Sequence, residues 1–439
     1  MPIIKDGVDI TDSITGVQYR YKPSDEFTDV KTIRNGLNSV VWGDPLPEEP
    51  ETKTNIYGVE WWSNSKSSKM IRTDDAVNFI DPVPAVFNGP GMSPFDSIYP
   101  WKDMTTTTVS IGATVKLPRF YYKLTLPTED DPYHYKLQIT SKTSSLPSGF
   151  IADPAHSRPT FTGGNTIYIG RYLCNSTDYK STSGLPKMYD TRANFRTKIK
   201  ALDSTYALQF DIYTWISTYF LYLVEYADLN IVKTLGKPAF NYSNKTTGIY
   251  YTNFPTTTWK TKTGWTDDME YHTGTTGKTR SHPGCVQYRN IEDFISTTSV
   301  WLDGIVPWVS SSSPYKHTPR VYSDPKYYSE STSASGGVTF QYETDITGTS
   351  NSKFPGNGLI VPDMTKLTTV SNDVRYLSSW NLSTTGYNGG IIKNFSTGYG
   401  PLGVLTTYSS GATTLDWCIY FSKYVAADTY CGRPMYWSR

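Results

Sequence analysis

The sequence predicts a β-rich α+β fold, and three observations lead to this prediction. Aromatic residues make up 15% of the 439-residue chain and include 35 Tyr, and Tyr and Thr favour β-strands. Clusters of Pro, Gly, Ser and Asn separate many short stretches of strand-forming residues. Apolar residues recur at helical spacing mainly between residues 190 and 228.

The first 165 residues divide into three predicted segments. Residues 1–43 alternate apolar and polar side chains, which predicts a small N-terminal β unit that serves for attachment. Residues 44–54 contain three prolines and several acids and predict a stiff linker. Residues 55–165 form a predicted β-rich middle domain, with strand patterns at 116–124 and 133–140.

Residues 166–439 are predicted to form one domain, with two helices followed by short strands and long loops. The first helix is predicted over 192–202, where Phe195, Ile199 and Leu202 share one face. Little helix is predicted after residue 228. Loops of this extent usually bind a partner or are held by neighbouring subunits.

The second helix is predicted to begin after Asp211, a residue suited to the N-cap position. Its apolar residues recur at three- and four-residue spacing. They are Ile212, Trp215, Ile216, Tyr219, Phe220, Leu223 and Ala227. Glu225 lies beside this stripe, and we interpret it as a structural acid hydrogen-bonded to a loop, because an unpaired buried acid is costly. A general base is the alternative.

Composition and charge argue against several classes of partner. The net charge is +1 and no long run of Lys and Arg occurs, so we expect no nucleic-acid partner. No apolar stretch reaches the length of a membrane span, and residues 1–6 lack the apolar region of a secretory signal. We therefore expect no membrane insertion and synthesis in the cytoplasm without a signal peptide. Tyr, Ser, Asn and Gly are also typical of antibody paratopes, so the composition indicates either a binding surface or simply many strands.

No cofactor and no metal site is predicted. Four cysteines lie far apart without a CxxC pair, which disfavours a zinc site and leaves their disulfide state open. They are Cys174, Cys285, Cys418 and Cys431. Five His, including His134 and His282, are too few and too scattered for a metal cluster. Calcium would need several converging acids, and no clustered acidic loop occurs.

The segment 285–304 combines turn residues with aromatic and acidic residues at high density. Its key positions are Tyr288, Glu292, Trp301, Asp303 and Gly304. This pattern resembles a segment that marks C-type-lectin-like domains, although Asn290 stands where that pattern usually has Gly. The resemblance implies that these key positions brace the loops of a lectin-like fold by packing and hydrogen bonds.

Further stretches resemble, in the same order, tail-fibre and adhesin proteins of bacteriophages that end in such a lectin-like domain. They are 57–61, 71–73, 93–104, 117–122, 148–155, 168–172, 181–186, 223–230, 387–390, 398–403 and 431–434. The chain therefore resembles this family over roughly residues 55–439. Some relatives in this family are diversified by diversity-generating retroelements.

The resemblance implies a virion protein of a phage tail fibre or tail tip that binds a bacterial surface glycan or outer-membrane protein and is not an enzyme. It also implies a homotrimer whose N-terminal unit contacts other virion proteins. In diversified relatives the binding residues cluster in the C-terminal segment. The corresponding receptor-binding candidates are Tyr387, Asn388, Asn394, Tyr399, Tyr408, Trp417, Tyr420, Tyr424 and Tyr430.

Three alternatives stay open at this level. A more distant resemblance leads to formylglycine-generating and sulfatase-modifying enzymes, which need a close pair of cysteines. Here Cys418 and Cys431 are thirteen positions apart in a sequence that does not fit. The acidic pairs 74–75 and 130–131 could be the two carboxylates of a glycan depolymerase, although Asp beside a turn often binds its own backbone. The third alternative is an architectural or head-decoration protein without a receptor.

Overall fold

The chain divides into two compact units, Met1–Thr54 with Asn78–Ile80 and Asn55–Val77 with Asp81–Arg439. The computed structural model describes short strands in the first unit and much of the second unit. The described residues are 4–5, 8–9, 17–19, 28–30, 32–34, 40–43, 54–65, 67–83, 92–141, 145–161, 166–229, 234–235, 263–264, 275–277, 285–294, 299–309, 316–322, 324–328, 344–345, 358–363, 371–378, 404–407, 416–419 and 430–438.

The described residues of the first unit form three short antiparallel strand pairs. Its strands are β1 (Ile4–Lys5), β2 (Val8–Asp9), β3 (Val17–Tyr19), β4 (Thr28–Val30), β5 (Thr32–Arg34) and β6 (Val40–Gly43). β1 pairs with β2, β3 with β4, and β5 with β6. These strands lie in the stretch for which the sequence predicts a small β unit.

The second unit contains the remaining described strands and two α-helices. The strands up to the first helix are β7 (Ile56–Trp62), β8 (Ile71–Asp74), β9 (Thr106–Val109), β10 (Gly112–Leu117), β11 (Tyr121–Thr125), β12 (His134–Thr140), β13 (Ile151–Ala152) and β14 (Thr166–Gly170). The helices are α1 (Arg192–Leu202) and α2 (Ile212–Tyr226), and β15 (Ala207–Gln209) lies between them. The later strands are β16 (Thr275–Gly277), β17 (Cys285–Tyr288), β18 (Ile291–Glu292), β19 (Ser299–Val300), β20 (Ile305–Val309), β21 (Lys316–Tyr322), β22 (Thr344–Asp345), β23 (Gly358–Asp363), β24 (Ser371–Ser378), β25 (Val404–Thr407), β26 (Asp416–Ile419), β27 (Tyr430–Cys431) and β28 (Pro434–Ser438).

Five strands form the first sheet of this unit, in the order β15-β28-β14-β10-β9. Ile169 of β14 lies opposite Val115 of β10 on one side and Met435 of β28 on the other. All three side chains are fully buried, so the centre of the sheet belongs to the core. The predicted division between residues 165 and 166 falls inside this sheet, because β10 and β14 pair across it.

The second sheet has the order β13-β11-β12-β7-β8 and packs one face against α2. The alternation of β7 and β12 places Val59, Leu137 and Ile139 on this inner face, where they are fully buried. The ring of Tyr122 lies 5.1 Å from that of Phe220 in α2. Burial of an aliphatic or Phe side chain contributes about 1.5–3 kcal/mol, so the inner face stabilises the contact with the helix.

Both predicted helices are confirmed, and side-chain caps fix where they begin. The hydroxyl of Thr191 accepts a hydrogen bond from the amide of Asn194 at the start of α1. The carboxylate of Asp211, the predicted cap, accepts one from the amide of Thr214 at 2.9 Å. Such caps satisfy amides that lack a partner within the helix.

α2 is buried on all sides, whereas the sequence predicts only an apolar stripe. The helix contacts β7 and β12, and its Tyr222 also contacts the rings of Tyr288 and Phe294 at 5.8 and 6.4 Å. The hydroxyl of Thr218 donates within the helix to the carbonyl of Thr214 at 2.8 Å, whereas that of Tyr222 donates to the carbonyl of Asp228 at 3.0 Å. Periodicity underestimates this burial because it cannot show that a second layer covers the helix.

The described residues form a β-rich α+β fold with two α-helices and mainly antiparallel sheets, as the sequence predicts. One pair within that part of the chain, β19 with β27, is parallel. Among the residues that the structure describes, no helix is both long enough and apolar enough to cross a membrane.

Candidate binding site and its buried framework

A tight hairpin opens the segment 285–304. We call the described part of this segment, with the side chains of Arg196, Glu225 and Arg433 that bond to it, the framework. Tyr288 of β17 pairs with Ile291 of β18, so Arg289 and Asn290 form a two-residue loop. Both have positive φ, 43° and 67°, as in a type I′ turn, in which Asn and Gly are preferred. Asn290 therefore has a backbone conformation that Asn and Gly both favour.

Glu225 of α2 is the centre of a buried polar cluster. Its carboxylate is fully buried. Oε2 accepts hydrogen bonds from the hydroxyl of Tyr288 and from Nε of Arg289, both at 2.9 Å. Oε1 accepts a bond from Nη2 of Arg289 at 2.6 Å. Glu225 is thus a hydrogen-bonded acid at the end of a helix, in contact with a loop, as the sequence analysis favours.

The charges of this cluster reinforce one another. Burial raises the pKa of Tyr288 well above its usual range, and the charge of Glu225 raises it further. Burial by itself lowers the pKa of Arg289, but Glu225, Tyr288 and Asp96 together raise it above its ordinary value. Both groups therefore remain hydrogen-bond donors to Glu225 near neutral pH.

Two arginines hold the C-terminal end of α2. Arg72 of β8 donates to the carbonyl oxygens of Val224 and Glu225 at 2.8 and 2.6 Å. Arg289 donates to the carbonyl oxygen of Trp101 at 3.2 Å. The last carbonyls of a helix lack partners within it, so the contacts of Arg72 fasten this helix end to the second sheet.

Asp303 connects the segment to both helices. Nε and Nη2 of Arg196, on α1, donate to its two carboxylate oxygens at 2.5 and 2.6 Å. The amide of Gly304 donates to the same carboxylate at 3.0 Å. The amide of Asp303 donates to the carbonyl of Phe210 at 2.9 Å, and the amide of Ile212 donates to the carbonyl of Asp303 at 3.1 Å. Asp303 therefore positions α1 through its side chain and the start of α2 through its main chain.

Gly304 occupies a position where a side chain would be strained and crowded. Its φ is 77°, and a Cβ there would lie 2.9 Å from the ring of Tyr328. The hydroxyl of Tyr328 donates to the cap residue Asp211 at 3.0 Å, and Asp211 forms a buried ion pair with Arg158. The glycine thus lets Tyr328 approach the start of α2.

Trp301 anchors the segment in the core between α1 and the first sheet. It is buried in a cluster with Cys174, Phe195 and Ile199. Its indole Nε1 donates to the carbonyl oxygen of Asp190 at 3.0 Å, which satisfies the polar group that a buried Trp usually needs to pair.

Glu292 and Asp293 are neighbouring acids at the end of the hairpin. Glu292 accepts a hydrogen bond from the amide of Gly264 at 2.7 Å. Burial raises the pKa of Asp293 to about 8; the charge of Glu292 acts in the same direction and Arg433 opposes it. Arg433 donates to the carbonyl oxygens of Glu292 and Gly170 at 2.6 and 2.7 Å. It therefore joins the hairpin to β14.

The same framework holds the strands that follow the predicted receptor-binding segment. β19 pairs with β27, and the amide of Trp301 donates to the carbonyl of Cys431 at 2.9 Å. A Cβ on Gly432 would lie 2.5 Å from the ring of Phe195, so the chain passes close to α1 there. Residues 431–438 are largely buried and continue into the first sheet.

The predicted site residues fall into two groups. Tyr288, Glu292, Trp301, Asp303 and Gly304 are all buried. Among the receptor-binding candidates, Trp417 lies in β26 and Tyr430 in β27, and their side chains lie outside the described residues. The other seven also lie outside the described residues and are Tyr387, Asn388, Asn394, Tyr399, Tyr408, Tyr420 and Tyr424. A role in receptor binding stays a prediction for all nine.

The acidic pairs considered for glycan cleavage lie at turns. Asp74 ends β8 with a φ of 57°, and Asp75 accepts a hydrogen bond from the amide of Asn55 at 2.6 Å. Asp131 and Thr128 exchange two hydrogen bonds across a short turn. Asp75 and Asp131 thus make turn contacts. The Asp74 carboxylate, in contrast, accepts a hydrogen bond from Gln138 at 2.9 Å and lies 3.2 Å from Nζ of Lys136.

The cysteines and histidines are the residues whose side chains could ligate a metal ion. Cys174 and Cys431 are buried thiols. The side chains of Cys285 and Cys418, and all of His282, lie outside the described residues. In the part of the chain that the structure describes, no three His, Cys, Asp or Glu side chains form a group that could hold a metal ion.

Asp153 is a buried acid that the sequence analysis misses. Its Oδ2 lies 2.8 Å from Nδ1 of His156, and its Oδ1 accepts a bond from the hydroxyl of Ser217 at 2.8 Å. The same hydroxyl accepts a bond from the amide of Ala155 at 2.9 Å. Ser217 of α2 and His156 both contact the carboxylate, so the cluster joins a turn to α2. An Asp three positions before a His was the available signal.

The polar groups of the described framework bond to one another and to the main chain. Its principal acids are bonded to arginines, amides or hydroxyls, and its aromatic rings lie in the core. No protein-family model, curated protein or solved structure matches this chain.

Proposed function

We propose that this protein belongs to a phage tail fibre or tail tip and binds a glycan or protein receptor on the bacterial surface. The contact face is the Tyr-, Trp-, Ser- and Asn-rich segment 387–430, presented by a lectin-like domain. The observation that supports this proposal most is the buried framework on which the segment ends: Trp301 and Arg433 hold residues 431–438 in the core.

A rigid support beneath exposed loops suits this role. Binding loops work best when residues locked by packing and hydrogen bonds hold them, and the pairs Glu225–Arg289 and Arg196–Asp303 supply such locks. Tyr and Trp provide rigid contact area, while Ser and Asn provide adaptable hydrogen bonds. The contact residues can therefore differ between related proteins without loss of the supporting fold.

The proposal also concerns assembly on the virion. The N-terminal unit contacts other virion proteins, and three copies of the chain assemble as a homotrimer. Several weak heads on one particle raise the apparent affinity through their effective concentration, so a single head needs only modest affinity. The protein acts by binding and needs no cofactor.

Adsorption to bacterial cells tests the proposal. The full chain with Tyr408, Trp417 and Tyr424 replaced by Ala should adsorb to a panel of bacterial strains far less than the wild type, while its circular dichroism and thermal unfolding stay unchanged. The matched control replaces three exposed side chains of similar character elsewhere. These are Leu146, Leu185 and Tyr189.

Normal adsorption by the triple variant would contradict the proposed face. Release of reducing sugar from the cell envelopes would point instead to a depolymerase, provided that Asp74→Asn or Asp131→Asn abolishes it. A protein located on the capsid by electron-microscopic labelling would favour a head-decoration role.

A further inference from the structure

The outer face of the second sheet carries an ordered group of aromatic and charged side chains. On β7 and β12, Trp62 lies opposite His134 and Glu60 lies opposite Lys136. These residues alternate with the buried inner-face residues and are all partly exposed. We call the face formed by Glu60, Trp62, Asp74, His134, Lys136 and Gln138 the outer platform.

Hydrogen bonds and one ring stack hold the outer platform in place. The rings of Trp62 and His134 stack at 4.7 Å with an interplanar angle of 24°. Nε2 of His134 lies 3.0 Å from Oε2 of Glu60. These contacts fix the orientation of the indole and of one carboxylate, as in preorganised binding sites.

The neighbouring strand adds a second carboxylate with fixed donors. Asp74 lies 3.2 Å from Nζ of Lys136 and accepts a hydrogen bond from Nε2 of Gln138 at 2.9 Å. Gly58 lies on the same face, and a Cβ there would come within 2.4 Å of Thr73 and 2.5 Å of Asp74. The absence of a side chain at Gly58 therefore leaves room for Asp74 to lie over the sheet.

The outer platform has more acids than permanent cations. Asp74 faces Lys136, Glu60 faces His134, and Asp131 lies 3.9 Å from Nδ1 of His134. Such a surface gives an anionic ligand no electrostatic advantage. An ionised carboxylate has about four acceptor sites, so Glu60 and Asp74 retain capacity for hydroxyl donors from a ligand.

We propose that the outer platform is a second binding site and that its ligand is a neutral saccharide. A sugar ring combines an apolar C–H face with hydroxyl groups around its rim. The apolar face fits the indole of Trp62, on the ring side away from His134. The hydroxyl groups fit the carboxylates and the Lys136 and Gln138 donors. Few ordered polar groups beside an aromatic surface are the usual composition of such sites.

A buried stack on the inner face of the same sheet provides the contrast. Trp61 and Tyr135 stack at 5.2 Å with an angle of 11°, and both are buried. They lie one position along each strand from Trp62 and His134 and therefore point to the opposite face. The inner stack stabilises the core, whereas the outer stack is the one that a ligand can reach.

Binding of immobilised neutral oligosaccharides to the full chain tests this site. The panel contains oligomers of glucose, galactose, mannose and N-acetylglucosamine, with sialylated and sulfated glycans for comparison. We expect the wild type to bind at least one neutral member and Trp62→Ala to weaken that binding roughly 10-fold or more. Trp62→Phe, which keeps a ring, should retain most of the binding, and Tyr189→Ala, at an exposed aromatic elsewhere, should retain all of it.

Several outcomes would overturn the inference. They are the absence of binding to every neutral oligosaccharide, a preference for the acidic glycans, and undiminished binding by a folded Trp62→Ala variant. A change in oligomeric state on Trp62→Ala, without saccharide binding by the wild type, would identify the outer platform as a contact between copies of the chain. The inference is independent of the proposed function: the Tyr408, Trp417 and Tyr424 triple variant should keep this saccharide binding.

Discussion

The buried framework and the outer platform place an acid beside an aromatic residue in opposite surroundings. In the framework, Glu225 is fully buried and bonds to Tyr288 and Arg289. On the outer platform, Glu60 bonds to His134 with both side chains 24% exposed. Water can replace a lost partner on the platform but cannot do so in the framework. The degree of burial therefore separates a cluster that supports the fold from one that can contact a ligand.

The largest expected effect follows from removing the buried carboxylate. Glu225→Ala removes the fully buried carboxylate partner of Arg289 and leaves the guanidinium with the partly exposed Asp96 at 3.1 Å, which should lower the free energy of unfolding by about 3–5 kcal/mol. Urea denaturation followed by circular dichroism measures this change. Glu225→Gln keeps the shape and one acceptor and should cost less. A loss below about 1 kcal/mol for the alanine variant would show that the cluster does not support the fold.

A smaller effect is expected at the glycine beside Tyr328. Gly304→Ala combines a left-handed backbone with a 2.9 Å contact, so we expect a loss of about 2–4 kcal/mol in unfolding free energy. Gly149→Ala is the matched control, because Gly149 also has positive φ but faces the flexible end of Lys123. It should lose only about 1–2 kcal/mol. Thermal and urea unfolding measure both variants. Equal losses of unfolding free energy for Gly304→Ala and Gly149→Ala would rule out crowding by Tyr328.

The framework also contains a group whose contribution depends on pH. The pKa of Asp293 is raised from 3.8 to about 8 in the folded protein. The contribution of the Asp293 carboxyl to the free energy of unfolding is therefore fully present below about pH 4, and it is lost as the pH rises towards 8. Asp293→Asn should gain stability relative to the wild type between pH 5 and pH 8. Urea midpoints of both proteins at these two pH values measure the gain, and an unchanged difference would contradict it.

The smallest effect is expected on the outer platform. Glu60→Ala should lower the free energy of unfolding by less than about 1 kcal/mol, because polar contacts between partly exposed side chains contribute little. His134 keeps its stack on Trp62 in this variant. The same urea denaturation applies, and a loss comparable to that of Glu225→Ala would mean that the platform supports the fold and that the contrast with the framework fails.

Local patterns predict the helices well but not the pairing of the strands. The start of α2 is encoded in Asp211 and the spacing that follows it, which are close in sequence. The pairing of β10 with β14 crosses the predicted division at residue 165, because a strand's alternation shows its faces and not its neighbour. Alternation also places Trp61 and Trp62 on opposite faces of the second sheet. Only the packing of α2 shows that the face with Trp61 is the covered one.

The sequence predicts which residues of the framework are important, but it does not predict which distant side chains bond to them. The sequence singles out Glu225 as an acid bonded to a loop, but Arg289 lies 64 positions away. Arg196, which binds Asp303 over 107 positions, gives no local signal because it looks like a solvated charge on a helix. Distant ion pairs of this kind become visible only once the helices and the hairpin are placed together.

The position of β28 inside the first sheet, between β15 and β14, has a consequence for how the chain is made. Arg433, directly before β28, donates to the carbonyl of Gly170 in β14, 263 positions earlier in the chain. The ribosome therefore completes β14 long before it synthesises β28. Until then the nascent chain exposes an unpaired strand edge, which other chains can pair with. Contacts so distant in sequence also form slowly. A chain terminated before residue 434 would keep that edge open, so synthesis of this protein should depend on chaperones that cover it.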